Sequence, residues 1–334
     1  MEQLSPPEQM GRLLTGYWLT QAVYVAAKLG IADLLTSGPR SAADLALATR
    51  VHAPSLYRLL RALASVGVFV EQDGQRFALT PLAECLRDAP GSQRSLALMV
   101  GEEQYRAWGE LLHCVTTGQT AFDKQYGMPL FDFLAQHPDK AKVFDEAMVG
   151  VHGRETAAML DAYDFSDLGL LVDIGGGNGS LLTGVLQRHP KLRGILYDLP
   201  GVAERAKANI AAAGLSERCQ VVGGSFFESV PSGADAYLLR HIIHDWDEQK
   251  CLQILGCVHR AIGPQGKLLL VEGVVPPGNG PSFTKLLDLA MLVVPGGKER
   301  TAGEYEALFA TGGFSLTRIV PTKAEVSVIE GRKR

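Results

Sequence analysis

Two histidines close an apolar run in residues 237–248, which read YLLRHIIHDWDE. An unperturbed imidazole has a pKa of about 6.5, so His241 or His244 could take a proton from a hydroxyl group near neutral pH. A histidine at the end of a strand can also be an ordinary hydrogen-bonded polar group. The residue types therefore predict a general base but leave open which histidine it is.

Two glutamates could assist such a base. Glu272 ends the apolar run that begins at Leu268, and Glu299 lies in the loop of residues 295–301. A buried carboxylate beside a histidine orients the ring and stabilises the imidazolium. A surface charge or an acid at a helix N-terminus is an equally good interpretation of Glu299.

A glycine-rich turn lies in residues 171–180, LVDIGGGNGS. The apolar run ends at Asp173, and the residues from Leu181 are typical of a helix, so the order is strand, turn and helix. Gly175, Gly177 and Gly179 are two residues apart, unlike the G-x-G-x-x-G that binds a dinucleotide pyrophosphate. We interpret the turn as a nucleoside pocket without a phosphate cradle, with a ligand-free tight corner as the alternative.

A second acid marks the same kind of pocket. Residues 194–198 form another short apolar run, and it ends at Asp198, 19 residues after Gly179. In doubly wound sheets a carboxylate about 20 residues past the turn bonds the ribose hydroxyls. Asp198 is therefore the candidate ribose ligand.

The elements that position these residues alternate from Leu168 onward, which predicts a parallel sheet covered by helices. We expect strands at 170–174, 194–198, 219–223, 235–240 and 266–273, and helices at 180–189, 201–213 and 248–262. Runs 314–320 and 324–330 are joined by only three residues, too few for a parallel crossover, so the last pair must be antiparallel. The carboxyl ends of the parallel strands bring the candidate residues to one edge.

The N-terminal part is predicted to be helical. Ser5 and Glu8 form a capping-box pattern with proline between them, and a helix is expected over residues 6–29. Its apolar stripe needs a covering surface, either a second subunit or the chain's own next helices. The stripe comprises Met10, Leu14, Trp18, Ala22, Val25 and Leu29.

Residues 31–81 resemble a winged helix. Ser41 caps a short helix, Pro54 opens another, and residues 68–79 form a hairpin around the two-residue turn Asp73-Gly74. The second helix offers only Arg58 and Arg61 as basic residues, so DNA binding is disfavoured and dimerisation is favoured.

We divide the chain into a helical and winged-helix dimerisation domain at 1–100, a helical connector at 101–165 and a nucleoside-binding domain at 166–334. The connector is rich in aromatic residues and methionine, with a loop expected at 118–127. Most of these residues must belong to the core, but the segment would supply the walls of a pocket for a flat organic substrate.

Composition and length fit a globular protein of two domains, with 334 residues, 46% of them hydrophobic and 20% charged. A net charge of −4 argues against a nucleic-acid partner, and no signal peptide or membrane-spanning run is expected. The five cysteines include no C-x-x-C pair, which predicts a reduced cytoplasmic location and no structural metal.

Five motifs together resemble one enzyme family. DxGGGxG, YDLP, VGGSFF, HDW and PGGKERT occur in the order found in S-adenosylmethionine-dependent O-methyltransferases of the caffeic-acid and acetylserotonin type, including bacterial relatives that act on natural products. The resemblance covers nearly the whole chain. It implies an α/β fold, with a class I methyltransferase (Rossmann-like) sheet whose last strand is reversed, and a homodimer in which each N-terminal helix helps to close the partner's site.

The resemblance also implies roles for individual residues. His244 becomes the general base, flanked by Glu272 and Glu299. S-adenosylmethionine, which leaves as S-adenosylhomocysteine, would meet the turn and the residues around it: Asp173, Gly175, Gly177, Asp198, Ser225, Phe226 and Arg240. Ser225 stands where many relatives have aspartate, and a neutral hydroxyl accepts a weaker hydrogen bond. Positions of the acceptor pocket are Trp108, Phe122, Phe144, Met148, His152 and Met291.

The predicted reaction is methyl transfer to a phenolic or enolic hydroxyl of a small, aromatic natural product, without a metal. Two alternatives remain. Proteins of this fold can bind the cofactor and catalyse hydroxylation, decarboxylation or cyclisation instead. A winged-helix regulator that binds DNA is the second alternative, and the low basic charge disfavours it.

Overall fold

The computed structural model describes residues 4–334, apart from the side chain of Arg154. The chain forms two compact units. The first comprises the described residues up to Gly109 together with Leu134–Val151, and the second comprises Glu110–Phe133 and His152–Arg334. The predicted connector, 101–165, contributes residues to both units, and the predicted domain boundaries stay a prediction.

The first unit is mainly helical and contains a small antiparallel sheet of order β1-β3-β2. Ser41 caps α4 as expected, since its Oγ accepts a hydrogen bond from the N–H of Asp44 at 3.1 Å. The predicted winged-helix elements are therefore confirmed. The elements are α1 (Pro6–Leu14), α2 (Gly16–Lys28), α3 (Ile31–Leu34), β1 (Arg40–Ser41), α4 (Ala42–Thr49), α5 (Ala53–Ser65), β2 (Phe69–Gln72), β3 (Arg76–Leu79), α6 (Pro81–Glu84), α7 (Arg94–Met99), a π-helical turn (Val100–Gln104) and α8 (Tyr105–Trp108).

Two local predictions in this unit are wrong. The single helix over 6–29 is interrupted at Thr15, whose φ and ψ are −97° and 2°. Gly16 is a poor helix former, and the Thr15 hydroxyl donates back to the Gly11 carbonyl at 2.8 Å, which favours a bend. The hairpin connection has three residues, because Gln72 pairs with Arg76 and both Gly74 and Gln75 adopt positive φ.

The apolar stripe of the first two helices is divided. Met10, Leu14 and Trp18 are 55%, 68% and 61% exposed, respectively. Ala22 and Leu29 pack on the hydrophobic core of the first unit. Packing on the chain's own helices therefore accounts for only the second half of the stripe.

The second unit is built on a seven-stranded sheet of order β6-β5-β4-β7-β8-β10-β9. The strands are β4 (Leu170–Ile174), β5 (Arg193–Asp198), β6 (Cys219–Gly223), β7 (Ala236–Arg240), β8 (Lys267–Glu272), β9 (Phe314–Pro321) and β10 (Ser327–Lys333). β4 to β8 pair in parallel, and β10 is antiparallel to both β8 and β9. The predicted fold, with its reversed last strand, is confirmed.

Helices cover both faces of this sheet, and a separate hydrophobic cluster fills each side. The helices of this unit are α9 (Leu111–Thr117), α10 (Ala121–Tyr126), α13 (Ser180–Arg188), α14 (Pro200–Ala212), α15 (Glu248–Ala261), α16 (Phe283–Val293) and α17 (Ala302–Thr311), with a 3₁₀ turn at Ile243–Asp245. Two more, α11 (Leu130–Gln136) and α12 (Pro138–Ala162), run from one unit into the other. The expected loop at 118–127 thus contains a short helix. Across residues 4–334, the helices are too short or too polar to cross a membrane.

One edge of the sheet collects the carboxyl ends of the parallel strands. The glycine turn follows β4, Asp198 ends β5, Arg240 ends β7 and Glu272 ends β8. After β7 the chain bends into the 3₁₀ turn, and the loop that follows α16 packs against that turn. A Cβ atom at Gly297 would lie 1.9 Å from the carbonyl oxygen of His244, so only glycine fits there.

We expect Gly297→Ala to destabilise the protein by about 1–3 kcal/mol, because the methyl group must displace the backbone of the 3₁₀ turn. The measurement is the midpoint of thermal unfolding. Gly303→Ala in α17 is the matched control, since its Cβ would meet no atom within 4 Å. Equal midpoints for the two variants would contradict the close packing of this loop.

Candidate active site

His244 lies on the 3₁₀ turn and is only 6% exposed. Its Nδ1 is 2.6 Å from Oε1 of Glu299, and 3.5 Å from Oε2 of Glu272. A carboxylate only accepts hydrogen bonds, so this contact places the proton of the neutral ring on Nδ1. Nε2 then carries the lone pair that a general base needs.

Glu272 is fully buried and bonds the backbone at the start of the 3₁₀ turn. Its Oε1 accepts hydrogen bonds from the backbone N–H groups of Ile242 and Ile243, at 3.1 and 2.9 Å. Its Oε2 has no hydrogen-bond partner among the described residues. Burial raises the pKa of this carboxyl group above its usual range.

Glu299 is buried, 3% exposed, so the interpretation as a surface loop charge is wrong. Its backbone N–H donates to Oδ1 of Asp288 at 2.9 Å. The next residue, Arg300, is also fully buried and donates from Nη1 to the carbonyl of Ile243 at 3.2 Å. The loop is thus bonded to the 3₁₀ turn through the Glu299 carboxylate and the Arg300 guanidinium, and to α16 through the Glu299 N–H.

The charges around His244 favour its protonated form. Burial on its own lowers the pKa of a histidine, but here nearby carboxylates outweigh it and raise the pKa to about 10. The carboxylates are those of Glu272, Asp245 and Glu299. The pKa of Asp245 is raised to about 6 by burial, with His244 acting in the opposite direction. Without ligands, these carboxylates therefore favour the imidazolium form of His244.

His241 belongs to a second histidine–acid pair. Its Nε2 lies 2.9 Å from Oε2 of Glu155, on α12, and its backbone has a φ of 51°, which is rare for a residue other than glycine. The His241 ring stacks on that of His152, with centroids 4.3 Å apart and planes 9° apart. Burial, with His241 and Arg240 nearby, holds the pKa of His152 well below its usual range, so His152 stays neutral.

Two groups of these residues have ligand atoms close enough for a metal: His152, Glu155 and His241, and His241, His244 and Glu272. In the first, Nε2 of His241 already bonds Oε2 of Glu155 at 2.9 Å, and its ring is stacked on that of His152. In the second, the nitrogen of His244 that faces Glu272 already bonds Glu299. The geometry suits a hydrogen-bonded network better than a metal centre.

The glycine turn is shaped for a ligand. Gly177 has a φ of 56°, and a Cβ atom there would meet nothing within 4 Å. Its N–H donates to Oδ2 of Asp198 at 2.8 Å, so the two sequence-predicted features lie together. Asp173 is buried with Oδ2 unpartnered among the described residues, and burial raises its pKa to about 7. Open backbone beside carboxylates fits a nucleoside.

The other predicted cofactor residues are close to this turn or already bonded. A Cβ atom at Gly175 would lie 3.8 Å from the ring of Phe226. The hydroxyl of Ser225 accepts from the N–H of Phe227 at 3.3 Å. Arg240 is half-buried and donates to the hydroxyl of Thr156 at 3.0 Å. Their binding to a cofactor stays a prediction.

The predicted acceptor-pocket residues are divided between the units. In the second unit, Phe122 is fully buried against Tyr126 and Phe133, with ring centroids 4.5 and 5.5 Å away. His152 stacks on His241, and Met291 is partly buried on α16. Trp108, Phe144 and Met148 are partly buried in the first unit. Their contact with an acceptor stays a prediction.

Sequence reasoning missed Glu155, Asp245 and Arg300. Glu155 follows His152 by three residues on one helix, a spacing that places both on one face. Nothing in the sequence pairs it with His241, which lies 86 residues away. Asp245 and Arg300 lie within the quoted motifs, but an arginine in a charged loop gives no sign of being fully buried.

Comparisons with known proteins fit this geometry. The O-methyltransferase domain family matches residues 108–315, and the O-methyltransferase dimerisation domain family matches residues 12–88. The phenazine O-methyltransferase of Lysobacter antibioticus is 49% identical over 96% of this chain and 94% of its own. An 8-amino-8-demethylriboflavin N,N-dimethyltransferase of Streptomyces davaonensis is 38% identical over 93% of this chain and 90% of its own.

A solved structure shows what a relative binds. The O-methyltransferase of neocarzinostatin biosynthesis, in complex with S-adenosylmethionine and 2-hydroxy-5-methyl naphthoic acid, has a TM-score of 0.82. It is 36% identical, and the similarity covers 95% of this chain and 96% of that one. The two family matches and the 49% identity confirm the resemblance seen in the motifs. The chain therefore belongs to the S-adenosylmethionine-dependent O-methyltransferases of small molecules.

Proposed function

We propose that this enzyme methylates a phenolic or enolic hydroxyl of a small aromatic natural product, with His244 as the general base. The observation that carries the proposal is the contact between Nδ1 of His244 and Glu299, at 2.6 Å, in a buried turn at the carboxyl edge of the sheet. That contact fixes the ring and leaves Nε2 able to take a proton.

The chain's own residues would hold the cofactor at the glycine turn. Gly177 leaves its backbone open to a ligand, Asp198 would accept the ribose hydroxyls, and Phe226 would pack on the adenine. Ser225 has a second lone pair left for the adenine amine. S-adenosylmethionine, when bound, supplies an electrophilic methyl group on a sulfonium.

His244 must lose its proton before it can act as a base. A cation bound at the same edge disfavours the imidazolium and lowers the pKa of His244 from its ligand-free position. The neutral ring then takes the hydroxyl proton as the oxygen attacks. Glu272 and Glu299 stabilise the imidazolium that forms, so part of the barrier to attack is removed.

Two findings support an aromatic acceptor. One relative is named a phenazine O-methyltransferase, and a solved relative holds a hydroxynaphthoic acid. The aromatic and methionine residues predicted for the pocket suit a flat ring system. Because another relative is an N,N-dimethyltransferase, the atom that receives the methyl group has to be identified in the product.

A homodimer is also part of the proposal. The dimerisation-domain match covers residues 12–88, and Leu14 and Trp18 in that range are exposed in a single copy. Large exposed apolar side chains close together are typical of an interaction surface.

The direct test uses S-adenosylmethionine with a ¹³C-labelled methyl group and a panel of hydroxylated phenazines, naphthoic acids and benzoic acids. Mass spectrometry and NMR of the products identify the methylated atom. We expect a ¹³C-methoxy product. If the enzyme binds the cofactor but the product carries no label and is hydroxylated, decarboxylated or cyclised, the result would favour the non-methylation alternative instead.

We expect His244→Ala to keep cofactor affinity and lose about 10²–10⁴-fold in kcat, because a positioned general base contributes that much. Titration calorimetry with S-adenosylhomocysteine checks binding, and methyl transfer to the best acceptor of the panel checks the rate. His52→Ala, at an exposed position of the first unit, is the control. A His244→Ala enzyme with full activity would remove this residue from the mechanism.

We expect the pH profile of kcat to rise as His244 loses its proton, and Glu299→Gln to move that rise to lower pH. The sign follows from the charge: the carboxylate stabilises the imidazolium, and removing it lowers the pKa of His244. The maximum rate should fall, since a less basic imidazole is a weaker base. A rise that stays in place or moves to higher pH would contradict the assignment.

We expect Asp198→Asn to weaken S-adenosylmethionine binding by about 10- to 100-fold, because a hydrogen bond to a charged group contributes about 1.5–3 kcal/mol. Calorimetry measures the affinity directly. Asp73→Asn in the exposed hairpin is a matched control outside the pocket. Unchanged affinity in Asp198→Asn would show that the ribose binds elsewhere.

A further inference from the structure

The His241–Glu155 pair has no role in the reaction as described so far. Nε2 of His241 lies 2.9 Å from Oε2 of Glu155, and the two side chains are 9% and 11% exposed. The His241 ring lies 4.9 Å from the His244 ring, measured between centroids. Two histidine–acid pairs therefore share the Glu272 carboxyl group between them.

The unpartnered atoms of this cluster face one another. Nδ1 of His241 and Oε2 of Glu272 are buried without hydrogen-bond partners among the described residues, and they lie 3.8 Å apart. The same oxygen is 3.5 Å from Nδ1 of His244. A rotation of the carboxyl group that shortens either distance by less than about 1 Å makes a hydrogen bond of normal length.

The backbone of His241 is held in a rare conformation. A φ of 51° is uncommon for a residue with a side chain, and such residues cluster at functional sites. The stack on His152 and the bond to Glu155 keep the imidazole in this place. The strained position puts Nδ1 towards Glu272 rather than towards solvent.

Glu299, the hydrogen-bonded partner of His244, gives the proton that His244 takes no direct route to water. Glu299 shares the Nδ1 proton, but its other oxygen is buried and unpartnered among the described residues. Glu272 is fully buried, and burial favours its protonated form, so it can hold a proton in transit. The next basic atom beyond it is Nδ1 of His241.

We propose that Glu272, His241 and Glu155 form a relay that carries the acceptor's proton away from His244 after methyl transfer. This rests on the proposed function. His244 gains the proton at Nε2 and gives up the one on Nδ1 to Oε2 of Glu272, which passes it to Nδ1 of His241. His241 then releases its Nε2 proton to Glu155, and Glu155 releases one proton to water. These transfers leave His244 protonated on Nε2 and His241 protonated on Nδ1, so both rings return to their starting tautomers by proton exchange with solvent, after the product has left, before the next turnover.

Asp245 offers a competing exit, since its Oδ1 is 3.6 Å from Nε2 of His244 and its side chain is 17% exposed. That route would use the nitrogen that faces the acceptor, so it would have to wait for the product to leave. The relay through Nδ1 works while the product is still bound. The two routes therefore differ in when the proton reaches solvent.

The test follows one turnover in weak buffer, with enzyme in excess over S-adenosylmethionine and 1-hydroxyphenazine as the acceptor. Chemical quench measures methyl transfer, and a pH-indicator dye in a stopped-flow instrument measures proton release. In the wild-type enzyme we expect both to occur at one rate. In Glu155→Gln and in His241→Asn we expect methyl transfer within about twofold of wild type and proton release slower by about 10-fold or more.

The variants keep the local shape. Glutamine can still accept the His241 N–H, and asparagine is among the residues that tolerate positive φ. Asp161→Asn on the same helix is the control, because Asp161 bonds only the exposed Arg188 in the described structure. Equal slowing of methyl transfer and proton release in Glu155→Gln and His241→Asn would mean a structural role and would overturn the relay. No slowing of proton release in these two variants, or delayed proton release only in Asp245→Asn, would overturn it as well.

A second measurement does not depend on turnover, so it separates this proposal from the proposed function. ¹⁵N NMR of labelled histidines, with S-adenosylhomocysteine bound and His241→Asn for assignment, reports which nitrogen carries the proton. The relay requires a proton on Nε2 of His241 and a bare Nδ1. A His241 ring with its proton on Nδ1 would overturn the relay even if the enzyme methylates its acceptor. A His241 ring with its proton on Nε2 would support the relay even if 1-hydroxyphenazine is not a substrate.

Discussion

The candidate site depends on how its buried carboxyl groups are satisfied. Burying a charge is costly unless hydrogen bonds or an opposite charge compensate, and Glu272 and Glu299 are both almost fully buried. Glu272 receives two backbone N–H groups, and Glu299 receives His244. The bond between His244 and Glu299 both compensates a buried charge and fixes the imidazole, so stability and the geometry of the candidate site have one physical origin.

The fold supplies these bonds from separate parts of the chain. A parallel sheet brings the ends of β4, β5, β7 and β8 to one edge, and the loop after α16 closes over that edge. The loop can approach only because Gly297 lacks a side chain, and the buried Arg300 bonds it to the carbonyl of Ile243. The PGGKERT motif therefore acts as a structural clamp in addition to contributing an acid.

The sequence predicts much of this arrangement because strand ends and turns are local properties. Alternating apolar runs predict the five parallel strands, and the three-residue link between the last two runs predicts their reversal. Contacts between distant residues are not local: the pairing of His241 with Glu155 and the burial of Arg300 depend on how α12 and the loop pack. The break at Thr15 was missed because a bend of one residue leaves the apolar periodicity almost unchanged.

The exposed residues of α1 and α2 have a consequence for the free chain. A single copy presents Met10, Leu14 and Trp18 to water, together with Leu13 and Tyr17 at 76% and 52% exposure. Ordering water around so much hydrocarbon is unfavourable, and the penalty disappears when the surface is covered. In the proposed homodimer, folding of this region would be linked to association by mass action, so the chain would be least stable just after synthesis, when copies are scarce.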